Sequence, residues 1–261
     1  EGFLDKGARS QRAAMSEYQR LAWDAAFGPK NDAFLKAKLT GDAQTRWNYQ
    51  RYIKNYLRSV DGLDDSVGTV RRYLGEQGLA ENTIVIYTSD QGFFLGDHGW
   101  YDKRWMYEES LRTPLIVHWP GVTKPGSTND ALVQNIDLAP TFYEAAGLPS
   151  PDDMHGSSLA PLLKEELPSS WRDAIYYHYQ MEEPSNRAAH RVARHYGLRT
   201  VRYKLIYYYD LGEWELFDLE DDPREMTNLY ESPSQQKRVA ELKKRLTGLR
   251  TKYADDTGKD W

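Results

Sequence analysis

Six β-forming residues, Thr83-Ile-Val-Ile-Tyr-Thr88, run without interruption into the polar quartet Ser89-Asp-Gln-Gly92. A short, nearly continuous apolar run bounded by turn residues predicts a buried strand of a parallel sheet. A polar, glycine-containing cluster directly after such a strand stands where open α/β sheets place their ligands. The flanking sequence agrees. Before the run, apolar residues recur at Ile53, Tyr56, Leu57, Val60, Leu63, Val67, Val70 and Leu74. That spacing predicts a helix, with Gly62 as its weak point and Gly78 as its stop. Further upstream, Ser10–Ala26 reads as a helical segment. After the run, a loop from Phe93 to Arg112 leads to a second strand, Pro114–Trp119, closed by Pro120-Gly121. Asn135–Ala146 then reads as a helix with Gly147 as its stop. Alternating helices and strands predict an α/β layer fold.

From about Pro168 the pattern changes. Ile175–Tyr179, Gly197–Thr200, Tyr203–Tyr209 and Glu213–Leu219 are aromatic-rich strand candidates, with a Leu211-Gly212 turn between the last two. They predict a small antiparallel sheet. Asp222-Pro223-Arg224-Glu225 carries a helix-start pattern of cap, N1 proline and N3 glutamate. Val239, Leu242, Leu246, Leu249 and Tyr253 predict a final helix packed on that sheet. The expected division is therefore 1–167, an α/β core portion, and 168–261, an antiparallel-sheet subdomain. No apolar run approaches the roughly 18 residues of a membrane span. A net charge of −5 argues against a general nucleic-acid binder. The absence of cysteine removes disulfides and thiolate metal sites from consideration. With 19 Tyr and 8 Trp, the aromatic content fits packing.

The residue types after the first strand carry the chemistry. Asp90 and Gln91 offer oxygen donors of the kind a hard cation binds, although two ligands do not make a site. A strand-ending Asp also commonly caps a turn, so both readings stand. Lys103 can set a point charge against an oxyanion, and His98 can exchange a proton near neutral pH. Gly92, Gly96 and Gly99 allow close backbone approach. A second concentration of charge lies at His190-Arg-Val-Ala-Arg-His195-Tyr-Gly-Leu-Arg199. It is either a solvated strand edge or the wall of a pocket for an anionic ligand.

Several ordered motifs resemble the sulfatase family of the alkaline-phosphatase-like superfamily. They are Ser89-Asp-Gln-Gly, Leu95-Gly-Asp-His-Gly99, Tyr107-Glu-Glu-Ser110, Arg112-Thr-Pro-Leu-Ile-Val117, Asn135-Ile-Asp-Leu-Ala-Pro-Thr141 and Gly156-Ser-Ser-Leu-Ala160. Downstream, Arg199-Thr-Val-Arg-Tyr-Lys-Leu-Ile206 and Trp214 through Leu229 continue the match, which runs from about Trp47 to Leu249. The resemblance implies a mostly parallel sheet sandwiched by helices, incomplete on its N-terminal side, plus a small C-terminal antiparallel sheet with a helix. It implies that Asp90 and Gln91 are metal ligands, usually for Ca²⁺ with Mg²⁺ as the alternative. Lys103 would contact the sulfate and the leaving oxygen, and His98 would line the pocket.

The family's nucleophile is a formylglycine made within a Cys/Ser-x-Pro-x-Arg motif. This sequence has no cysteine and no such serine motif. Nor does it hold the family's N-terminal Asp-Asp metal pair, since Asp64-Asp65 falls in the helical pattern. The expectation is therefore a C-terminal portion, inactive alone, with an exposed sheet edge and poor solubility. Within the family, the 190–199 segment resembles enzymes acting on N-acetylglucosamine-6-sulfate in glycosaminoglycans or mucins. His195 is then the first candidate for substrate contact, followed by Arg194 and His190. His178 is read as a packing residue, and His118 and His155 as structural. A periplasmic or secreted location follows from the resemblance alone. The alternatives are a phosphoryl or phosphonate hydrolase of the same superfamily, and a non-catalytic binder of sulfated glycans.

Overall fold

The computed structural model describes residues 11–181 and 192–258. The chain divides into two compact units, 1–67 and 68–261, with the division inside a long helix. In the first unit, α1 (Glu17–Ala37) begins one residue after Ser16 because that serine caps it. The Gln19 N–H donates to Ser16 Oγ, and the Ser16 N–H donates back to Gln19 Oε1 at 2.9 Å. This reciprocal pair satisfies donors a helix start would otherwise leave open. The helical reading of Ser10–Ala26 falls on helical residues 11–14 and the first half of α1, which runs on to Ala37. α2 (Gly41–Glu76) passes through Gly62 without a break. It stops where Gly78 turns left-handed at φ +67, letting the Leu79 N–H close on Leu74 O at 2.8 Å. No described residue of 11–67 is fully buried. The apolar contacts between α1 and α2 are aromatic, such as Phe34 against Trp47 at 4.4 Å.

In the second unit, β1 (Val85–Thr88) pairs with β2 (Leu115–His118) in register Val85↔His118 through Thr88↔Leu115. The ladder is antiparallel, and β1 is half-buried along its length, where the apolar run had suggested a fully buried parallel strand. The cause lies in the connection. A parallel return needs a crossover, usually a full helix, but residues 89–114 carry only a 3-10 turn at Asp97–Gly99 and the single turn α3 (Glu108–Leu111). No described helix is long and apolar enough to cross a membrane.

α4 (Leu138–Ala145) and α5 (Ala160–Leu163) are locked together by the buried Asp137. Its carboxylate accepts both Arg172 guanidinium nitrogens and the Gln134 and Ser157 N–H groups. The Thr141 hydroxyl donates to Asp137 O at 2.6 Å and accepts from the Leu159 N–H. A Cβ on Gly156 would lie 2.0 Å from Ile136 O, so only glycine lets this loop close.

β3 (Ala174–Tyr179), β4 (His195–Thr200), β5 (Tyr203–Tyr208) and β6 (Glu213–Asp218) form an antiparallel sheet in that order. Successive side chains of a strand point to opposite faces, and the sheet uses both. Tyr196, Leu198, Leu205, Tyr207, Trp214 and Leu216 face α6 (Gln236–Lys252), which supplies Val239, Leu242 and Leu246. On the other face, Ile206, Tyr208 and Phe217 pack against Phe94, Met106 and Tyr107 of the loop after β1. The boundary read at 167/168 lies shortly before β3, and Arg172–Asp137 and Lys204–Glu108 contacts cross it.

The helix start read at Asp222 does not form. The Asp222 carboxylate accepts from the Thr227 N–H at 2.8 Å, and Glu225 is left-handed at φ +52. A left-handed residue cannot continue a right-handed helix, and Glu225 is held there by a buried ion pair described below.

Replacing Gly156 with Ala should destabilise the protein by about 3 kcal/mol or more, because backbone must move to admit the methyl. Urea denaturation of G156A measures this; a midpoint equal to wild type would refute the steric account.

Candidate functional site

The loop 89–112 is held by its own polar groups. Just past β1, the Ser89 hydroxyl donates to Gln91 O at 2.8 Å, and the Gln91 N–H donates to Asp90 Oδ1 at 3.1 Å. The Asn135 amide donates to the carbonyls of Ser89 and Asp90, at 3.3 and 3.0 Å. Gly92 then passes so close to α3 that a Cβ would lie 2.1 Å from Glu109 O. Its N–H donates to Ser110 O at 2.8 Å.

Ser110 is buried and faces both ways. Its carbonyl takes Gly92, and its hydroxyl donates to the carbonyl of Lys103. One residue therefore ties the Asp90-Gln91-Gly92 turn to the backbone of Lys103. Asp102 fixes the same stretch: its Oδ1 accepts the Lys103 N–H at 2.9 Å, its other oxygen accepts Arg104, and its carbonyl accepts the Phe94 N–H. His98 sits in the same loop with φ +55, its ring against Phe94, Trp100 and Tyr107. Its Nε2 is 3.6 Å from Glu109 Oε2, and the side chain is 11% exposed. The backbone of the Asp90-Gln91-Gly92 turn and that of Lys103 thus meet at Ser110, and the His98 ring lies near Glu109. Asn135, Ser110 and Glu109 stand within the sequence motifs, where nothing local assigns them a role. A polar residue directly after an extended segment was the available signal, but its partner is distant in sequence.

The residues of the second cluster are differently placed from one another. The Arg194 guanidinium forms two 2.8 Å bonds to Asp210 and lies over the Tyr209 ring. His195 is fully buried. Its ring is enclosed by Trp105, Tyr177, Tyr179 and Tyr208, and its Nδ1 lies 2.7 Å from Ala193 O. A ring so enclosed offers no face to a glycan, so the expectation of direct substrate contact at His195 is corrected to a supporting place under Trp105. Burial pushes the His195 imidazole down to about 4, leaving it neutral at pH 7. His190 lies outside the described residues. His178 packs as expected, bound to Asp255 at 2.6 Å and Tyr209 at 3.3 Å.

Beneath the loop lies a buried charge cluster. Lys204 is fully buried, with Nζ 2.9 Å from Glu108 Oε1 and 2.6 Å from Glu225 Oε1. Arg199 adds a 3.1 Å contact to Glu108, and the Glu108 N–H donates to Glu225 Oε2 at 2.7 Å. The Lys204 contacts are electrostatic rather than well-directed hydrogen bonds. Burial would raise Glu108, but Lys204 and Arg199 outweigh it and hold this carboxyl below its usual range. For Glu225 burial prevails over Lys204 and raises it.

Asp90 and Gln91 fit a hard cation in the kind of donor they bring, but not in number. Ca²⁺ takes six to eight oxygens, and among the described residues no group of three or more His, Asp or Glu side chains is placed to hold an ion. A formylglycine does not fit this sequence, which has neither a cysteine nor the serine motif. No hydrolytic step is assigned to these residues alone.

A model of the sulfatase family matches residues 16–148. A second, described as N-sulphoglucosamine sulphohydrolase, C-terminal, matches residues 96–252. The chain is 46% identical over 237 residues to an N-acetylglucosamine-6-O-sulfatase of Bacteroides thetaiotaomicron, covering 90% of this chain and 42% of that protein. It is 34% identical over 182 residues to the N-acetylglucosamine-6-sulfatase of Homo sapiens, covering 65% and 33%. A solved structure of a protein in complex with its substrate D-glucosamine-2-N,6-O-disulfate matches with a TM-score of 0.88 at 42% identity, covering 95% of this chain and 50% of that one. The chain spans less than half the length of these two curated relatives.

Two measurements test the packing under the loop. Replacing Lys204 with Met should cost about 3–5 kcal/mol, since it strands buried carboxylates, and adding Glu225→Gln should restore part of that loss. An undiminished stability in K204M would show that the ion cluster is not structural. His195 titrates at 6.5 when unfolded and at about 4 when folded. The unfolded chain therefore binds the extra proton between those values, and stability falls as pH drops from 6.5 toward 4, by up to about 3 kcal/mol. Denaturation at pH 7.5, 6 and 5 should show this slope in the wild type and lose it in H195F; an unchanged slope in H195F would assign it to another group.

Proposed function

The chain belongs to the sulfatase family, and from that premise we propose that it is the C-terminal portion of a sulfuric ester hydrolase acting on sulfated sugars such as N-acetylglucosamine-6-sulfate. The fold is the alkaline-phosphatase-like fold of that family. The observation that carries the reading is the convergence on Ser110, which ties the Asp90-Gln91-Gly92 turn to Lys103. A carboxylate and an amide oxygen for a cation, beside an ammonium for an anion, are complementary to a sulfate ester coordinated by a metal ion. The substrate class is supported by the likeness to two N-acetylglucosamine-6-sulfatases and to a structure in complex with a sulfated glucosamine.

In this reading Asp90 and Gln91 ligate Ca²⁺, or Mg²⁺, together with oxygens from outside this chain. The bound cation would draw electron density from a sulfate oxygen. Lys103 faces the sulfate and the oxygen that leaves with the sugar, where its charge offsets the negative charge developing as the S–O bond breaks. His98, held by its aromatic neighbours and Glu109, lines the pocket and exchanges protons there. Arg194 and His190 contact the anionic sugar, and His195 positions Trp105 from below. The nucleophile, a formylglycine, belongs to sequence outside these 261 residues. A periplasmic or secreted location suits an enzyme of extracellular glycans.

Sulfate release from N-acetylglucosamine-6-sulfate, read by ion chromatography, tests the proposal. The 261-residue chain alone should release none. Joined to a region carrying the Cys/Ser-x-Pro-x-Arg motif, it should turn over, and Lys103→Ala should lower kcat by about 10²–10³-fold with the fold intact. Activity in K103A within threefold of wild type would remove Lys103 from the mechanism.

A further inference from the structure

The charge of this chain is not evenly spread. Residues 1–60 carry 11 of the 34 Lys and Arg but only 6 of the 39 Asp and Glu, a local excess of cations in a chain of net charge −5. Part of that excess is gathered in one place. A concave pocket of about 260 Å³ on the α1–α2 pair is lined by Lys30, Trp47, Arg51, Lys54 and Arg58, with the neutral Gln50 and Asn55 between them. Trp47, Arg51, Lys54 and Arg58 recur at intervals of four, three and four residues, so they form one stripe along α2. At about 1.5 Å of rise per residue, successive cations are spaced roughly 5 Å apart.

The pocket lining contains no acid, and three of its four cations are held by neutral groups. Arg51 donates to Asn31 Oδ1 at 2.5 Å, and its guanidinium lies over the Trp47 and Phe27 rings, at 5.3 and 6.0 Å. Lys30 Nζ lies 5.3 Å from the centre of the Phe27 ring. Arg58 donates to Asn55 Oδ1 at 2.8 Å. Among the described residues none of the four cations has a carboxylate within ion-pair distance, whereas the nearby Arg12 is paired with Asp24. Aromatic faces and amides fix these groups in position without cancelling their charge. Partial burial of Arg51 also lowers its pKa, a cost that an incoming anion offsets.

We propose that this face of the α1–α2 pair is a binding site for the sulfate groups of an extended sulfated polysaccharide. The choice of a sulfated glycan rests on the functional reading above. Binding through the stripe would hold a long substrate by several residues at once, so that detachment after one event requires several contacts to break. A linear row of cations suits a polyanion. A single aromatic offers little to nucleic acid bases, which single-strand binders stack on successive aromatic side chains.

The test uses the full chain and fluorescein-labelled heparin oligosaccharide, with binding followed by anisotropy across a salt series. Wild type should bind, and Lys54→Gln with Arg58→Gln should raise Kd at least tenfold and flatten the dependence on salt. Both side chains are exposed, so the double variant keeps the Arg51–Trp47 packing, and an unchanged melting temperature checks this. De-sulfated heparin and a DNA strand of equal charge should each bind at least tenfold more weakly than heparin. Equal heparin binding by wild type and the double variant overturns the site. Equal binding of DNA and heparin overturns the assignment to glycans. In the chain joined to a region carrying the Cys/Ser-x-Pro-x-Arg motif, K103A separates the two proposals: retained heparin binding with lost sulfate release supports both. Heparin binding that falls with K103A and not with the double variant overturns this one, and absence of sulfate release by the joined wild type overturns only the functional reading.

Discussion

A lysine with no exposure to solvent, Lys204, sets the terms for the rest of the second unit. An isolated buried ammonium would be expelled or neutralised, so its environment must supply negative charge. Glu108 comes from the turn that ends the site loop, and Glu225 from the segment after the sheet. Neither is close to Lys204 in sequence, so the pairing can form only when the loop, β5 and the 220s segment are assembled together. Arg199 also pairs with Glu108. Buried pairs of this kind add little net stability, because desolvation consumes most of the attraction. What the cluster supplies is register: Glu108 begins α3, and a shift of that turn would leave Glu108 and Arg199 unpaired. Ser110, two residues on, then fixes the Asp90 turn against Lys103. The placement of the candidate site is thereby tied to the chemistry of the sheet.

The sheet can do this because neither of its faces is left to water. The residues of β5 alternate, Leu205 and Tyr207 toward α6, Lys204, Ile206 and Tyr208 toward the loop. Phe94, Met106 and Tyr107 bring the loop its own apolar underside, and Gly197 leaves room for it: a Cβ there would stand 2.7 Å from Met106 Sδ. Tyrosine serves at such a boundary because its ring is apolar and its hydroxyl can be paired. Tyr107 and Tyr208 both donate to Glu215 Oε2, at 2.9 and 2.8 Å. The aromatic richness of the chain is accounted for by this double-sided packing rather than by an aromatic surface for ligands.

What the sequence disclosed follows from which interactions are local. α6 and β5 declared themselves through periodicity, and Gly78 through the left-handed turn it allows. The motif Asp90-Gln91…Lys103 was legible as a candidate site because its members share one loop. The Asp222 helix start was misleading because a local capping pattern competed with a distant lysine that needs Glu225 in a left-handed turn. The pairing of β1 was misread because a parallel return depends on a crossover element that the apolar run itself does not encode. His195 looked like a surface cation among arginines. Its burial comes from Trp105 and Tyr208, contacts with no trace in its own neighbourhood.

The order already present in the loop decides how a metal would act there. Asn135 holds the carbonyls of Ser89 and Asp90, Ser110 holds Gly92 and Lys103, and Asp102 holds the turn between them. Every one of these bonds is internal to the chain and involves backbone. The ion is therefore not needed to bring Asp90 and Gln91 together, and little conformational entropy remains to be lost at this half of the site. One anionic and one neutral oxygen donor still leave most of a calcium shell to be filled. Affinity must then depend on the charge and number of the remaining donors, and hardly at all on how well this loop is formed. A substitution at Asn135 or Ser110 would act in the opposite sense, disturbing the geometry while leaving the donor set complete.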